Sequence, residues 1–418
     1  MRLLIPLFSP ATGTWGGLTR VVAIAQAARE AGHSIAFCAS GYLEKTLRER
    51  GYPVYSIPST TILGLPETLS RILAKRSQNA SLPVRPGRSF GNIWFVQLIS
   101  GMARADYLRQ VVEAELAAVH AFKADGLFTD LDLGAYLVAA ISGIPTASAY
   151  QHVMSEGKGS FFWKMVHRST TRVLTSYARP DIPPEELAFG AQVLKIIPSI
   201  PELDGSDPNR SDVCYVGHLL GEIKTEEQTD FQPEAGKRYL FVYVGTGSVT
   251  QHTLRTVLPN LLAKGEPLKA IVAGPNISTP ACLGKVEFRP YISAAALLPY
   301  CDWTVCHGGQ NTIIQSLIHA VPLLVFPGPI FERRFNAEKV KAAGAGEMGE
   351  LPDFNIDWLQ AILARRNEDA IHAGALGKKI ESLGGAAHAV RMIAQWVKAG
   401  GNINNVTRST YFSEPARN

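Results

Sequence analysis

No stretch of the 418-residue chain reaches the roughly twenty consecutive apolar residues that cross a bilayer, so no membrane span is expected. Met1 to Phe8 is apolar but too short for a signal sequence, and it runs straight into a glycine-containing loop, as a first strand would. Charge of one sign is also scarce. A formal net charge of +5, from 41 basic and 36 acidic residues, comes with no basic run interleaved with aromatics. That argues against nucleic acid as a partner and suits small anionic substrates. Five cysteines, Cys38, Cys214, Cys282, Cys301 and Cys306, show neither metal-ligand spacing nor a disulfide framework. No metal site is expected, and a soluble protein of the reducing cytoplasm is the simplest reading.

What is present is an alternation of short apolar runs with helical periods, the pattern of an α/β protein with parallel sheets. Leu3 to Phe8 reads as a strand, Ser9 to Gly17 as a loop, Leu18 to Ala31 as a helix and Ser34 to Ala39 as the next strand. The chain is too long for one ordinary core, so two domains are expected. The first spans 1–217 and a polar linker follows at 218–236. The second spans 237–385, a helix at 386–400 is expected to return to the first domain, and 401–418 reads as a mobile tail.

Between Ser59 and Met102 the regular pattern lapses, and such segments on a regular scaffold commonly carry specificity. Phe90, Trp94 and Phe95 either stack on an acceptor or cap the domain core. Arg71, Lys75, Arg76, Arg85 and Arg88 form a solvated face or touch a phosphate or membrane surface.

The most informative stretch is Cys301 to Ala337, CDWTVCHGGQNTIIQSLIHAVPLLVFPGPIFERRFNA. A buried strand ends at His307-Gly308-Gly309, where a helix must begin. Glycines let the chain approach a ligand closely, and unpaired amides at a helix start favour an anion such as a pyrophosphate. His307, Asn311 and Thr312 add side chains to that corner. Gly245-Thr246-Gly247-Ser248 is a second glycine loop ahead of a helix, with its amides expected to face the same phosphates.

This segment resembles the donor-binding signature of family 1 glycosyltransferases, nucleotide-sugar enzymes of GT-B fold, in which two Rossmann-like parallel-sheet domains face each other across a cleft. In that family a His-x-Gly-x-Asn/Gly-Ser/Thr turn holds the donor phosphates, matched here at His307, Gly309, Asn311 and Thr312. The family's ribose-binding Glu aligns with Gln315, which keeps hydrogen-bonding capacity but no charge. Its sugar-binding Asp-Gln pair aligns with Glu332-Arg333, so an acceptor is kept while a cation replaces an amide. Tyr291-Ile292 falls where the family stacks an aromatic on the base and reads its edge from the backbone.

The resemblance implies an inverting hexosyl transfer from a UDP- or dTDP-sugar to a small natural-product or lipid-like acceptor bound by the first domain. The nucleotide sugar is a co-substrate, no metal or resident cofactor is implied, and a monomer or homodimer is expected. One position departs from the family. Its catalytic His, or sometimes Asp, aligns with Gly17. Gly16-Gly17, with Arg20 one turn on, instead resembles the first loop of family 4 glycosyltransferases, where such glycines approach the donor pyrophosphate. Asp130, Asp132 and His152 stay open as the general base. Two other classes stay open as well: a sugar-nucleotide epimerase of the same architecture, and a non-catalytic binding or activator protein.

Overall fold

Leu3, Leu4 and Ile5 are all fully buried, which for successive residues of an extended strand requires cover on both faces. Leu3 and Ile5 join a core with Val21, Ile24 and Phe37, while Leu4 faces the opposite way, among Val112, Leu127 and Tyr136. The same alternation recurs in the second half, where Leu240 and Val242 face one core and Tyr239 and Phe241 another. The computed structural model describes residues 1–8, 15–65, 68–70, 72–73, 87–221, 231–244, 249–263, 268–274, 277 and 279–402.

The first sheet comprises β1 (Arg2–Pro6), β2 (Ser34–Ala39), β3 (Val54–Ser56), β4 (Gly126–Thr129), β5 (Thr146–Ala149), β6 (Val193–Ile197) and β7 (Val213–Tyr215). They lie in the order β3-β2-β1-β4-β5-β6-β7, all parallel. The second comprises β8 (Arg238–Tyr243), β9 (Leu268–Ala273), β10 (Ala281–Leu283), β11 (Val286–Arg289), β12 (Cys301–Cys306), β13 (Leu323–Val325) and β14 (Gly346–Met348). Its order is β10-β11-β9-β8-β12-β13-β14, parallel except for the β10–β11 edge pair. Chain order reverses direction between β1 and β4 in one sheet and between β8 and β12 in the other. Such switch points open crevices beyond the carboxyl ends of the strands, where α/β proteins bind ligands.

Several boundaries differ from the sequence reading for a local reason. The first helix runs Trp15–Glu30 and so takes in Gly16 and Gly17, which the sequence assigned to a loop. A helix at Ile93–Ile99 begins where Asn92 caps it, accepting from the amide of Phe95.

The halves are joined where Val216-Gly217-His218 passes the end of the helix Arg366–Ser382. Gly217 has φ +78°, and a Cβ there would lie 1.9 Å from the carbonyl oxygen of Ile380. The chain then turns at Gly384 and Gly385, and the helix Gly385–Lys398 packs on Trp15–Glu30. Its Ala389, Val390, Met392, Ile393 and Trp396 are part of the core beneath β1 and β2. Among the described residues no helix is long and apolar enough to cross a membrane.

Candidate functional site

β12 delivers the chain to His307 at the β8–β12 switch point, and the next helix, Gln310–Ile318, starts at once with Gly309 as its cap. Gly308 makes the turn with φ +89°. A Cβ on it would lie 2.7 Å from the carbonyl oxygen of Arg333, so the corner and the helix Phe331–Ala342 touch backbone to backbone. Asn336, on that helix, donates from Nδ2 to the Gly308 carbonyl at 2.9 Å. The first-turn amides of Gln310–Ile318 have no acceptor within the helix and give the corner its affinity for an anion.

His307 is held with Nδ1 3.3 Å from the carbonyl oxygen of Tyr243. A carbonyl only accepts, so Nδ1 carries the proton. Nε2, which sits where a Cβ on Gly309 would be only 2.9 Å away, keeps its lone pair in the neutral ring. Burial, then the charge of Arg333, pushes the His307 pKa down to about 3, against the opposing effect of the Tyr243 bond. The ring is therefore neutral at pH 7 and donates to a phosphate from Nε2 only after taking up a proton. An incoming anion favours that uptake.

Glu332 and Arg333 open the helix Phe331–Ala342 beside this corner. Burial raises the pKa of Glu332, the charges of Arg20 and Arg333 oppose that rise, and the carboxylate of Asp130 adds to it. Arg20 and Asp130 belong to the first half, so the crevices of the two sheets meet here. Arg20 pairs with Asp130 at 2.9 Å and reaches Gln310 Oε1 at 3.4 Å. Gln310 donates to the carbonyl of Pro198 at 3.1 Å, and Gln151 donates to Asn336 at 3.4 Å. Gln310 and Gln151 are site-shaping residues that the sequence did not single out, since their partners lie far away in the chain.

Asp130 and Asp132 part company. Leu131 between them adopts φ +64° and sends the two carboxylates to different neighbours. Asp130, 6% exposed, is held by Arg20. Asp132, 1% exposed, caps the helix Leu133–Ser142 by accepting from the Gly134 amide at 2.8 Å. It faces Glu115, not the crevice: a Cβ on Gly134 would lie 2.9 Å from Glu115 Oε2 and 3.1 Å from Asp132 Oδ1.

Burial pushes Asp132 up to about 6, with the Gly134 and Ala135 amides opposing. Burial, then Asp132, raises Glu115 well above the carboxylate range, and neither Glu115 oxygen has a partner among the described residues. The native state thus holds a proton on Glu115 that the unfolded chain releases near its ordinary pKa, so stability falls as pH rises from there through the native pKa. Glu115→Gln is expected to raise the urea midpoint at pH 8 and to change it little near pH 4. Equal midpoints at pH 8 would show that the carboxylate is compensated.

His152 is exposed at the crevice. Its amide donates to Asp204 at 2.9 Å, and its ring centroid lies 6.4 Å from that of Phe335, one turn beyond Glu332. Trp94 is a core residue: it is 1% exposed, donates from Nε1 to the Glu156 carbonyl and packs on Phe189. Phe90 and Phe95 stand edge to face at 5.0 Å, and Phe95 continues to Phe162. The amide of Phe90 donates to the Pro329 carbonyl, so this aromatic row borders the crevice.

Tyr291 is 38% exposed, whereas Ile292 is buried with Tyr239 and Phe241. Asn311, Thr312 and Gln315 are half-buried on the first turns of Gln310–Ile318. Gly245, Gly247 and Ser248 lie outside the described residues, as do Arg71, Lys75, Arg76, Arg85, most of the expected Ser9–Gly17 loop, the 222–230 part of the linker and the tail beyond 402. Among the described residues no group of three or more His, Cys, Asp or Glu side chains is placed to hold a metal ion.

Two facing sheets with crevices meeting at their switch points form the architecture of GT-B glycosyltransferases. Residues 267–382 match the glycosyltransferase family 28 C-terminal domain, which contains the His307 corner and the Glu332-Arg333 helix. The sequence is 24% identical over 247 residues to the UDP-N-acetylglucosamine–N-acetylmuramyl-(pentapeptide) pyrophosphoryl-undecaprenol N-acetylglucosamine transferase of Bifidobacterium adolescentis. That match covers 54% of this chain and 60% of the relative, so the chain spans less than two thirds of its length.

Among solved structures, the glycotransferase of kitacinnamycin superposes with a TM-score of 0.70 at 18% identity, covering 94% of this chain and 97% of that one. The glycosyltransferase VinC in complex with dTDP gives 0.66 at 17%, covering 95% and 100%. Identity at this level carries the fold.

Proposed function

We propose that the protein is an inverting glycosyltransferase that moves a sugar from a UDP- or dTDP-sugar to a small natural-product or lipid-like acceptor without a metal. The observation that carries this reading is the turn at 307–310, where Gly308 has φ +89° and no room for a side chain. The turn brings a helix start and Arg333 together at the switch point of the second sheet. Support also comes from the likeness to VinC, whose structure holds dTDP, and to the Bifidobacterium relative, named for a UDP-sugar and a pyrophosphoryl-lipid acceptor. In the transfer, the acceptor oxygen forms a bond to the anomeric carbon while the bond from that carbon to the diphosphate breaks. The diphosphate leaves with the electron pair, and the acceptor proton passes to a base. Of the three candidate bases His152 alone is exposed, and we assign it that role.

A thermal-shift panel of nucleotide sugars and free diphosphates, followed by transfer assays with the stabilising donor, tests the reading. His307→Ala is expected to lower kcat by about 10² through loss of leaving-group stabilisation. His152→Ala is expected to lower kcat with donor affinity retained. No thermal shift with any uridine or thymidine diphosphate compound would overturn the donor assignment.

One observation favours a second reading, a binding or activator protein without transferase activity. A Cβ at Gly17 would lie 2.9 Å from Asp130 Oδ2, and Arg20 occupies that carboxylate. Tight donor binding with no transfer to a broad acceptor panel, together with activation of a partner transferase, would favour it.

A further inference from the structure

We propose that Arg20, supplied from the first half, is a direct ligand of the donor's diphosphate, so that the charge on the leaving group is met from both sides of the crevice. This deepens the transferase reading and rests on its donor site. Arg20 lies on the helix Trp15–Glu30, yet its guanidinium ends at the N-terminus of Gln310–Ile318 in the other half. Nε and Nη2 both bind one oxygen of Asp130, at 3.0 and 2.9 Å. A two-pronged grip on a buried carboxylate fixes the plane of a guanidinium and leaves its third nitrogen aimed outward. Among the described residues that nitrogen, Nη1, makes a 3.4 Å contact with Gln310 Oε1, at the long limit of a hydrogen bond. An anion seated on the first-turn amides would readily take it over.

Gly17 belongs to the same device. A Cβ there would lie 2.9 Å from Asp130 Oδ2, the oxygen that holds Arg20, so a larger residue one turn before Arg20 would dislodge the pair. The position that lacks a base is thus the position that makes room for a fixed cation. The corner needs one. His307 keeps a lone pair on Nε2 and brings no charge in its neutral form, whereas Arg333 brings a cation from the same half. Preorganised charge on both sides of a departing diphosphate meets the negative charge that grows as the bond to the sugar breaks.

The test is titration calorimetry of the full chain with UDP and dTDP, and with uridine and thymidine, on the wild type, Arg20→Leu and Arg20→Lys. Arg20→Leu is expected to weaken diphosphate binding roughly tenfold to a hundredfold while leaving nucleoside binding unchanged. Arg20→Lys is expected to recover part of that loss. Diphosphate affinity unchanged in Arg20→Leu, or nucleoside and diphosphate weakened equally, would overturn the proposal, the second because it marks a structural role. If Arg20→Leu does not fold, Arg20→Lys decides: the charge remains but the fork is lost, so wild-type diphosphate affinity would overturn the assignment. A wild type that binds neither UDP nor dTDP would overturn the donor reading and this ligand with it.

Discussion

Gly308→Ala is expected to lower kcat/KM for the donor by on the order of 10² to 10³. Two costs add. An alanine at φ +89° is strained by about 1–2 kcal/mol. Its Cβ would also stand 2.7 Å from the carbonyl oxygen of Arg333 and 3.1 Å from Val325 Cγ1. Neither neighbour yields cheaply, because one is helix backbone and the other a buried strand side chain. The corner must therefore move away from the helix that bears Glu332 and Arg333, and the Asn336 bond to the Gly308 carbonyl is drawn with it. Steady-state kinetics with the donor identified by thermal shift would check this. Wild-type turnover in a folded Gly308→Ala protein would remove the corner from the reaction.

Gly217→Ala is expected to have a large effect on stability, a loss of about 3–4 kcal/mol in urea unfolding. Its φ of +78° accounts for only part of that. The heavier cost is contact between backbones, with a Cβ 1.9 Å from the Ile380 carbonyl oxygen and 2.9 Å from its carbon. The segment cannot simply shift, because the Gly217 amide donates to Ser199 and the Val216 carbonyl accepts from Gly385. An unchanged urea midpoint would mean that the two halves are held less tightly at this crossing than their hydrogen bonds imply.

Much of the fold was readable because its strands are buried on both faces. Leu3 to Ile5 and Trp303 to Cys306 are apolar without alternation, and each is ended by a residue type that breaks it. The His307-Gly308-Gly309 turn was readable for the same reason: glycine at a strand-to-helix junction signals a backbone requirement. What escaped was set by contacts distant in sequence. Gly16 and Gly17 read as loop from local propensity, yet the helix takes them in, and a side chain at 17 would collide with Asp130, over a hundred positions away. Trp94 read equally well as pocket or core, and only the Glu156 carbonyl that receives its Nε1 decides for core. Asp130 and Asp132 were inseparable on paper because the turn at Leu131 is a matter of one backbone angle.

The helix Gly385–Lys398 gives the molecule an unusual order of completion. Trp396 and its neighbours cover apolar side chains of β1 and β2, which leave the ribosome some 350 residues earlier. At about 5–20 residues per second that face stays bare for tens of seconds during synthesis. The core on that face of the leading sheet is therefore completed only when the helix Gly385–Lys398 arrives.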